Sequence, residues 1–463
     1  MIRFIKKRIF IFFTEGHERT ILTKKNVVAS FAIKGVTILV SLILVPLTIN
    51  YVNSERNGIW LTVYSMILWL NLFDIGLGNG MKNKVAEAKA LGNMELAQKY
   101  ISSTYTIMSI ICVFVFILFC ILNPLLNWNW IFEKMNISPD YYQEVFGLIW
   151  ILIVSFCFTF VFSLLKSVVT ADQKPAIGSF IDMLGQIFTL IGIFILSKTV
   201  APSLISLGLV TGFVPVVVLI ISNIILFNKR YKVWRPAFKN VDFHLAKSMM
   251  NLGLKFFIPG FAFLVVNQTL IILIQGITNP VEVTNYYTSF KLFSLMLNVM
   301  AIIVLPYWSS FTDAYTKKDF EWMQNSIYRL YRFFLYAFIF QLILLVLSPV
   351  IYYAWVNYWM QEDSNILNIT FLLSAAVCLY TTATCWLNIC IFPINGIGKI
   401  KLQMYSSIAE MLLIIPLALW LGHHWKAPGI VLAPVIVYIP RMIWAPMQLS
   451  KLINNKATGI WNK

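Results

Sequence analysis

Ionisable side chains fall inside long apolar runs, among them Lys34, Asp74, Asp182, Lys255, Lys291, Glu410 and Arg441. A lysine or aspartate near the centre of a bilayer costs about 2.5–3.5 kcal/mol on insertion scales, so such groups face a wet cavity or a partner. Lys34, Lys291 and Lys255 carry the chemistry to replace the hydration of an anion, such as a diphosphate or an acidic sugar. Asp182 and Glu410 are of the type that pairs with a lysine or takes up a coupling proton or sodium ion, and Asp74 is a third candidate for coupling or gating. Lys255 and Arg441 lie close to the ends of their runs, where a long side chain can also reach the interface. Asn267, Gln268, Asn298 and Asn388 add uncharged polar groups to the same runs.

The elements that must position these groups are helices. Twelve apolar runs approach the ~20 residues a helix needs to cross a bilayer. They lie at 27–50, 57–79, 101–123, 146–169, 176–197, 203–227, 252–274, 286–309, 330–348, 367–390, 402–421 and 427–447. Only 12% of the residues are charged, against about 25% in a soluble domain, and this overrules the several soluble domains that 463 residues would allow. The prediction is an all-α polytopic membrane protein. Its parts are a basic amphipathic segment (1–26), a six-helix half (27–227), a basic linker (228–250), a second six-helix half (251–450) and a short tail (451–463).

A net charge of +17 is what a nucleic-acid binder would carry, but its placement points elsewhere. Lys82, Lys84, Lys89, Lys99, Lys174, Lys229, Arg230, Lys232, Lys399 and Lys451 fall on one set of loops; Arg56, Lys134, Lys198 and Lys426 are all the basic residues on the other. By the positive-inside rule both termini are cytoplasmic, with no nucleic-acid partner. The opening MIRFIKKRIFIFF is too short and interrupted for a signal peptide, and reads as a segment lying on an anionic leaflet. The linker's Trp234, Arg235 and Pro236 are expected at the headgroups, and 81–100 and 312–329 as amphipathic connecting helices. All six cysteines fall within spans and read as packing residues.

The second set of six runs repeats the first. Glu95, Gln98, Ile101 and Tyr105 recur as Glu321, Gln324, Ile327 and Tyr331, and Ala201-Pro202 as Ala427-Pro428, each 226 positions later. Repeats of the same orientation are related by an axis along the membrane normal, and transporters of that design hold substrate between their halves. Catalytic motifs are missing. HExxH, GxSxG and Walker patterns are absent, Gly396-Ile397-Gly398-Lys399 lacks phosphate-loop spacing, and His423-His424 has no third metal ligand nearby. No enzymatic activity, metal or cofactor is expected, beyond coupling to H+ or Na+.

The run from Phe73 to Ala88, with Asp74, Gly76, Gly78, Asn79, Lys82 and Asn83, resembles the end of the second span in bacterial Wzx-type flippases. Asn57-Gly58-Ile59-Trp60 before it fits the same pattern. These are polysaccharide transporters of the multidrug/oligosaccharidyl-lipid/polysaccharide (MOP) exporter superfamily. The resemblance implies a MATE-like fold and a multi-pass protein of the bacterial inner membrane. It implies flipping of undecaprenyl-diphosphate-linked oligosaccharide for O-antigen, capsule or a related surface glycan. The implied partners are that lipid, the bilayer, and the polymerase and glycosyltransferases of its pathway; a monomer is expected. Basic lumen residues are usual in this family, which fits Lys34 and Lys291 in kind. The alternatives are an ion-coupled multidrug exporter of the same fold, in which Asp182 or Glu410 would be essential, and a membrane polysaccharide polymerase.

Overall fold

Every long element is a helix, as a lipid solvent demands: backbone groups with no water to bond must be satisfied within their own segment. The computed structural model describes residues 18–74, 76–359 and 367–462. The helices are α1 (Glu18–Val52), α2 (Ser54–Leu68), α3 (Leu77–Ala90), α4 (Met94–Leu122), α5 (Tyr142–Phe162), α6 (Leu164–Ala171), α7 (Pro175–Thr199), α8 (Leu204–Asn228), α9 (His244–Ile277), α10 (Pro280–Thr316), α11 (Phe320–Trp355), α12 (Phe371–Ile397) and α13 (Lys401–Ile453). Among the described residues ten helices are long and apolar enough to cross a membrane, or eleven if the bent run Ser54–Ala90 is one crossing. The chain is a multi-pass membrane protein.

The 226-residue offset recurs in the caps. Asn53 and Asn279 each accept a hydrogen bond from the backbone N–H three residues on, as do Asn93 and Asp319. Such caps satisfy helix-start donors that have no partner within the helix. α2 and α10 begin at matched positions, and so do α4 and α11, and α7 and α13. Gln98 Nε2 donates to Arg235 O and Gln324 Nε2 to Asn454 Oδ1, so each glutamine ties its own helix, α4 or α11, to the chain just past the end of α8 or α13. The first half is cored by Met81, Val85, Ile101, Leu165 and Val168, and the second by Leu270, Phe293, Tyr380, Ile414 and Ala433, all nearly inaccessible.

Several sequence expectations are corrected. The second run is not straight: a 3-10 turn over Trp69–Asp74 and a left-handed Gly76 (φ 76°) bend it by 46° before α3. The connecting helices of 81–100 and 312–329 are not separate elements. α3 and α10 run on to Ala90 and Thr316, left-handed turns at Gly92 and Lys318 stop them, and the Asn93 and Asp319 caps start the next helices. Trp234 is buried, stacked on Tyr231 at 5.6 Å, because the linker folds onto the first half instead of spreading over headgroups. Of the amino-terminal segment, 1–17 lie outside the described residues, and α1 already begins at Glu18. The last two runs, by contrast, hold as two helices within the 53-residue stretch Lys401–Ile453, meeting at a non-helical break at Lys426 (φ 53°, ψ −138°).

Candidate functional site

Two adjoining chambers run through the first half. Their walls are α1, α2, α7 and α8, closed on the remaining side by α10 of the second half. One, of about 480 Å³, includes Lys34, Thr37, Asp182, Gln186, Pro215 and Asn298 in its lining. The other, of about 260 Å³, includes Thr48, Asn57, Trp60, Thr189, Tyr287 and Lys291. Tyr64, Gln186 and Pro215 belong to both, so the chambers share a wall. Residue numbers rise along α1 and α7, and fall along α2, α8 and α10, from the first chamber to the second. The pair therefore follows the bundle axis.

At the end of the bundle beyond the second chamber the halves touch. A Cβ added to Gly58 would lie 1.8 Å from Pro280 O, so glycine permits a backbone approach that no other residue could. Asn57 Nδ2 donates to Thr284 Oγ1 (3.1 Å), and the Thr284 hydroxyl donates to Ser54 O (2.7 Å). The Thr62 hydroxyl donates to Gln275 Oε1 (3.0 Å). The opposite end carries the lysine-rich loops. There Asn79, Lys82 and Asn83 of α3 stand across a cavity of about 560 Å³ from Gly260, Trp308, Asn395 and Gln403 of the second half.

The motif residues occupy the bend at this lysine-rich end. Asp74 Oδ1 accepts from Gly78 N (3.0 Å), which puts a carboxylate at the start of α3, where the helix dipole favours it. Lys82 Nζ donates to Asn79 Oδ1 (3.3 Å). The Lys34 and Lys291 ammonium groups have no carboxylate partner among the described residues; Lys291 lies 5.3 Å from the Tyr287 ring centroid. The carboxylates differ. Asp182 is paired with Lys166 (3.1 Å) while also bordering the first chamber. Glu410 is paired with Arg441 (2.7 Å), both nearly buried, and Arg441 also donates to Ser407 Oγ. Arg441 thus turns to a partner on its own helix pair instead of to an interface. Asp74 has no cationic partner among the described residues. The Lys255 side chain lies outside the described residues.

Sequence reasoning passed over the chamber's uncharged groups. Trp60 and Tyr64 stack (5.6 Å, 17°), and Trp60 Nε1 and Gln186 Oε1 are buried without a hydrogen-bond partner. An unmade buried hydrogen bond costs about 1–3 kcal/mol. The four-residue spacing of Trp60 and Tyr64 was the available signal, but it is shared by packing pairs on any helix. Asp172 was also missed. It binds Lys89, Lys174 (2.8 Å) and the Tyr231 hydroxyl (3.0 Å), tying α3, the turn before α7 and the linker together. Burial pushes its carboxyl up, but Lys174, Lys89 and Tyr231 outweigh that and hold it below the usual range.

No family model matches the chain. A Salmonella typhi protein named "Putative O-antigen transporter" is 20% identical over 411 residues, covering 88% of this chain and 90% of its own. Among solved structures, an inward-facing multidrug resistance MATE family transporter of the MOP superfamily superposes with a TM-score of 0.76 at 14% identity, over 93% of this chain and 100% of that one. An outward-facing MATE transporter scores 0.63 at 16% identity, over 94% and 97%. The lipid II flippase MurJ, inward closed, scores 0.62 at 15% identity, over 93% and 90%. The fold is MATE-like, as the motif around Asp74 implied, and the similarities are to transporters rather than to enzymes.

Proposed function

We propose that this MATE-like membrane protein flips a lipid-linked oligosaccharide, with an undecaprenyl diphosphate carrier, from the cytoplasmic to the outer leaflet of the bacterial inner membrane. The observation that carries the reading is the charge state of the chamber wall. Lys34 and Lys291 stand without a carboxylate, while Asp182 and Glu410 are already matched by Lys166 and Arg441. In a site of low dielectric, unmatched cations draw an anion far more strongly than they would in water. The diphosphate exchanges its water for these ammonium groups while the polyprenyl tail stays in the bilayer. A hydrophobic-cation exporter would need the reverse charge.

In this reading the two helices of the 53-residue stretch Lys401–Ile453 are two crossings meeting at Lys426. At 1.5 Å per residue the stretch would otherwise extend about 80 Å, against a hydrocarbon core of about 30 Å. The bent run Ser54–Ala90 is one crossing, which gives twelve, with the lysine-rich end and both termini in the cytoplasm. The tight Gly58–Pro280 contact at one end and the cavity at Lys82 and Gln403 at the other then describe an inward-facing state. The higher score against the inward-facing transporter supports this. Alternating access opens the first end as the second closes. Asp74 is the carboxylate left for a coupling H+ or Na+. The protein works as a monomer beside the glycosyltransferases and polymerase that make and use its substrate, in the assembly of O-antigen, capsule or a related surface glycan.

The test is to delete the gene in its host and label lipid-linked sugars on spheroplasts with an impermeant oxidant. Completed oligosaccharide that is inaccessible from outside is the expected result. Normal surface glycan without lipid-linked build-up, in a strain with no second flippase, would refute the reading.

A further inference from the structure

The chamber nearer the closed end holds chemistry that binding a diphosphate does not use. Its lining contains one cation, Lys291, and no carboxylate. Tyr64 is 40% exposed although it borders both chambers, so it offers an open ring face, with Trp60 stacked against it. The hydroxyls of Ser41, Thr48, Thr189 and Thr211 each donate to a carbonyl one turn back in their own helix. Their protons are used, so they present only lone pairs to the chamber. Just behind that surface, Gln186 Oε1 is buried as an acceptor with no donor and Trp60 Nε1 as a donor with no acceptor.

A flat aromatic face, surrounding acceptors, one unused donor and no acid together suit a sugar. The C–H face of a pyranose lies against a ring, and its hydroxyls donate outward to acceptors. A hydrophobic cation would find the ring but no counter-charge, and would meet Lys291. A bare phosphate would find one ammonium and then acceptors that repel it. The volume, about 260 Å³, lies just below the ~300–1,000 Å³ typical of pockets for drug-sized ligands.

We propose that this chamber is a carbohydrate subsite. It takes the sugar head of the lipid-linked substrate, with a pyranose face on Tyr64 and hydroxyls on Gln186 and the threonines, while the diphosphate lies between Lys291 and Lys34, towards the adjoining chamber. The assignment rests on the flippase reading and adds which part of the substrate goes where. The head thus enters first and lies next to the Gly58–Pro280 closure, which must part to release it.

The experiment uses the full chain in nanodiscs and three probes: undecaprenyl diphosphate, its hexose derivative and its N-acetylhexosamine derivative. The readout is the ratio of affinities, sugar-bearing over bare. At least one sugar-bearing probe is expected to bind about tenfold tighter to the wild type, a difference of about 1.4 kcal/mol. Tyr64→Ala and Gln186→Ala bring the ratio towards one, and Tyr64→Phe, which keeps the ring, preserves it. Equal wild-type affinities for bare and sugar-bearing lipid would overturn the subsite and leave the flippase reading standing. So would an unchanged ratio in Tyr64→Ala, or a Tyr64→Phe that behaves like it. Failure of all three probes to bind would overturn both.

Discussion

Ser54–Ala90 and Pro280–Thr316 occupy matching places in the two halves and have equal length, yet they have diverged in opposite directions. The first is broken at Asp74–Gly76, lines two chambers with Asn57, Trp60 and Tyr64, and places Asn79, Lys82 and Asn83 at the inner cavity. The second is one continuous helix, despite Pro306. The interiors differ in the same sense. In the first half the space among α1, α2, α7 and α8 is open and carries Lys34 unmatched. In the second, Tyr286, Tyr380 and Tyr438 fill the centre, with Tyr380 bonded to Asn267, and the acid is sealed against Arg441. A duplicated scaffold has kept one copy hollow and made the other a filled wall.

The largest test of that contrast is Glu410→Ala, which leaves Arg441 charged and buried and should cost about 3–5 kcal/mol, read as a lower melting temperature. The paired change Glu410→Leu with Arg441→Met should recover most of this and still transport. A stable double variant that does not transport would mean the second half is more than a wall. Next, Gly58→Ala overpacks the closed end by about 1–3 kcal/mol. In a variant lacking the native cysteines, a cysteine at Thr284 should then label faster with maleimide; unchanged labelling would place the closure elsewhere. Lys34→Ala and Lys291→Ala should each lower flipping in proteoliposomes about tenfold, the loss of one charge-assisted bond of about 1.5–3 kcal/mol net of solvent. Full activity of the double variant would move the anion site out of the first half.

The smallest effect separates the halves by pH. The Asp172 carboxyl is held below its unfolded value, so its contribution is complete above about pH 4 and is lost as pH falls through the folded value. The matching position in the second half is Gly398, which carries no charge. Asp172→Asn should cost about 1 kcal/mol at neutral pH, small because its lysine partners are half exposed. It should also flatten the acid limb of a melting-temperature profile. An unchanged acid limb would place that sensitivity elsewhere.

Helix placement was legible in the sequence because a bilayer turns span length into a hard requirement. The 226-residue offset was legible because Glu95, Gln98, Ile101 and Tyr105 and the Ala201-Pro202 pair recur at matched places in the second set. Lys34 and Lys291 were legible as charges in costly places. What could not be read was which face of each span looks inward. A helix that is apolar all round gives no periodic signal separating lumen from lipid, so Trp60 and Tyr64 looked like any aromatic pair. The bend at Asp74 was hidden for another reason: Gly76, Gly78 and Gly80 look alike in sequence, and only Gly76 is left-handed. Arg441 was misjudged because its distance from the span end says nothing of Glu410, 31 residues away on the preceding crossing.

α9 has a consequence for how force passes through the molecule. Its first turns, with Leu245, Met249 and Met250, are packed into the first half, and a Cβ on Gly80 would touch Met249 O at 2.2 Å. From Phe261 onward, through Val265, Leu270 and Ile274, the same helix belongs to the core of the second half. The mechanical boundary therefore runs across a helix and not through the linker before it. A chain cut inside the linker would leave α9 joined to both bodies and still able to transmit torque between them. In the alternating access proposed above, rocking of one body against the other is taken up as flexure of that single rod between Met250 and Phe261, and its stiffness would then set the turnover rate.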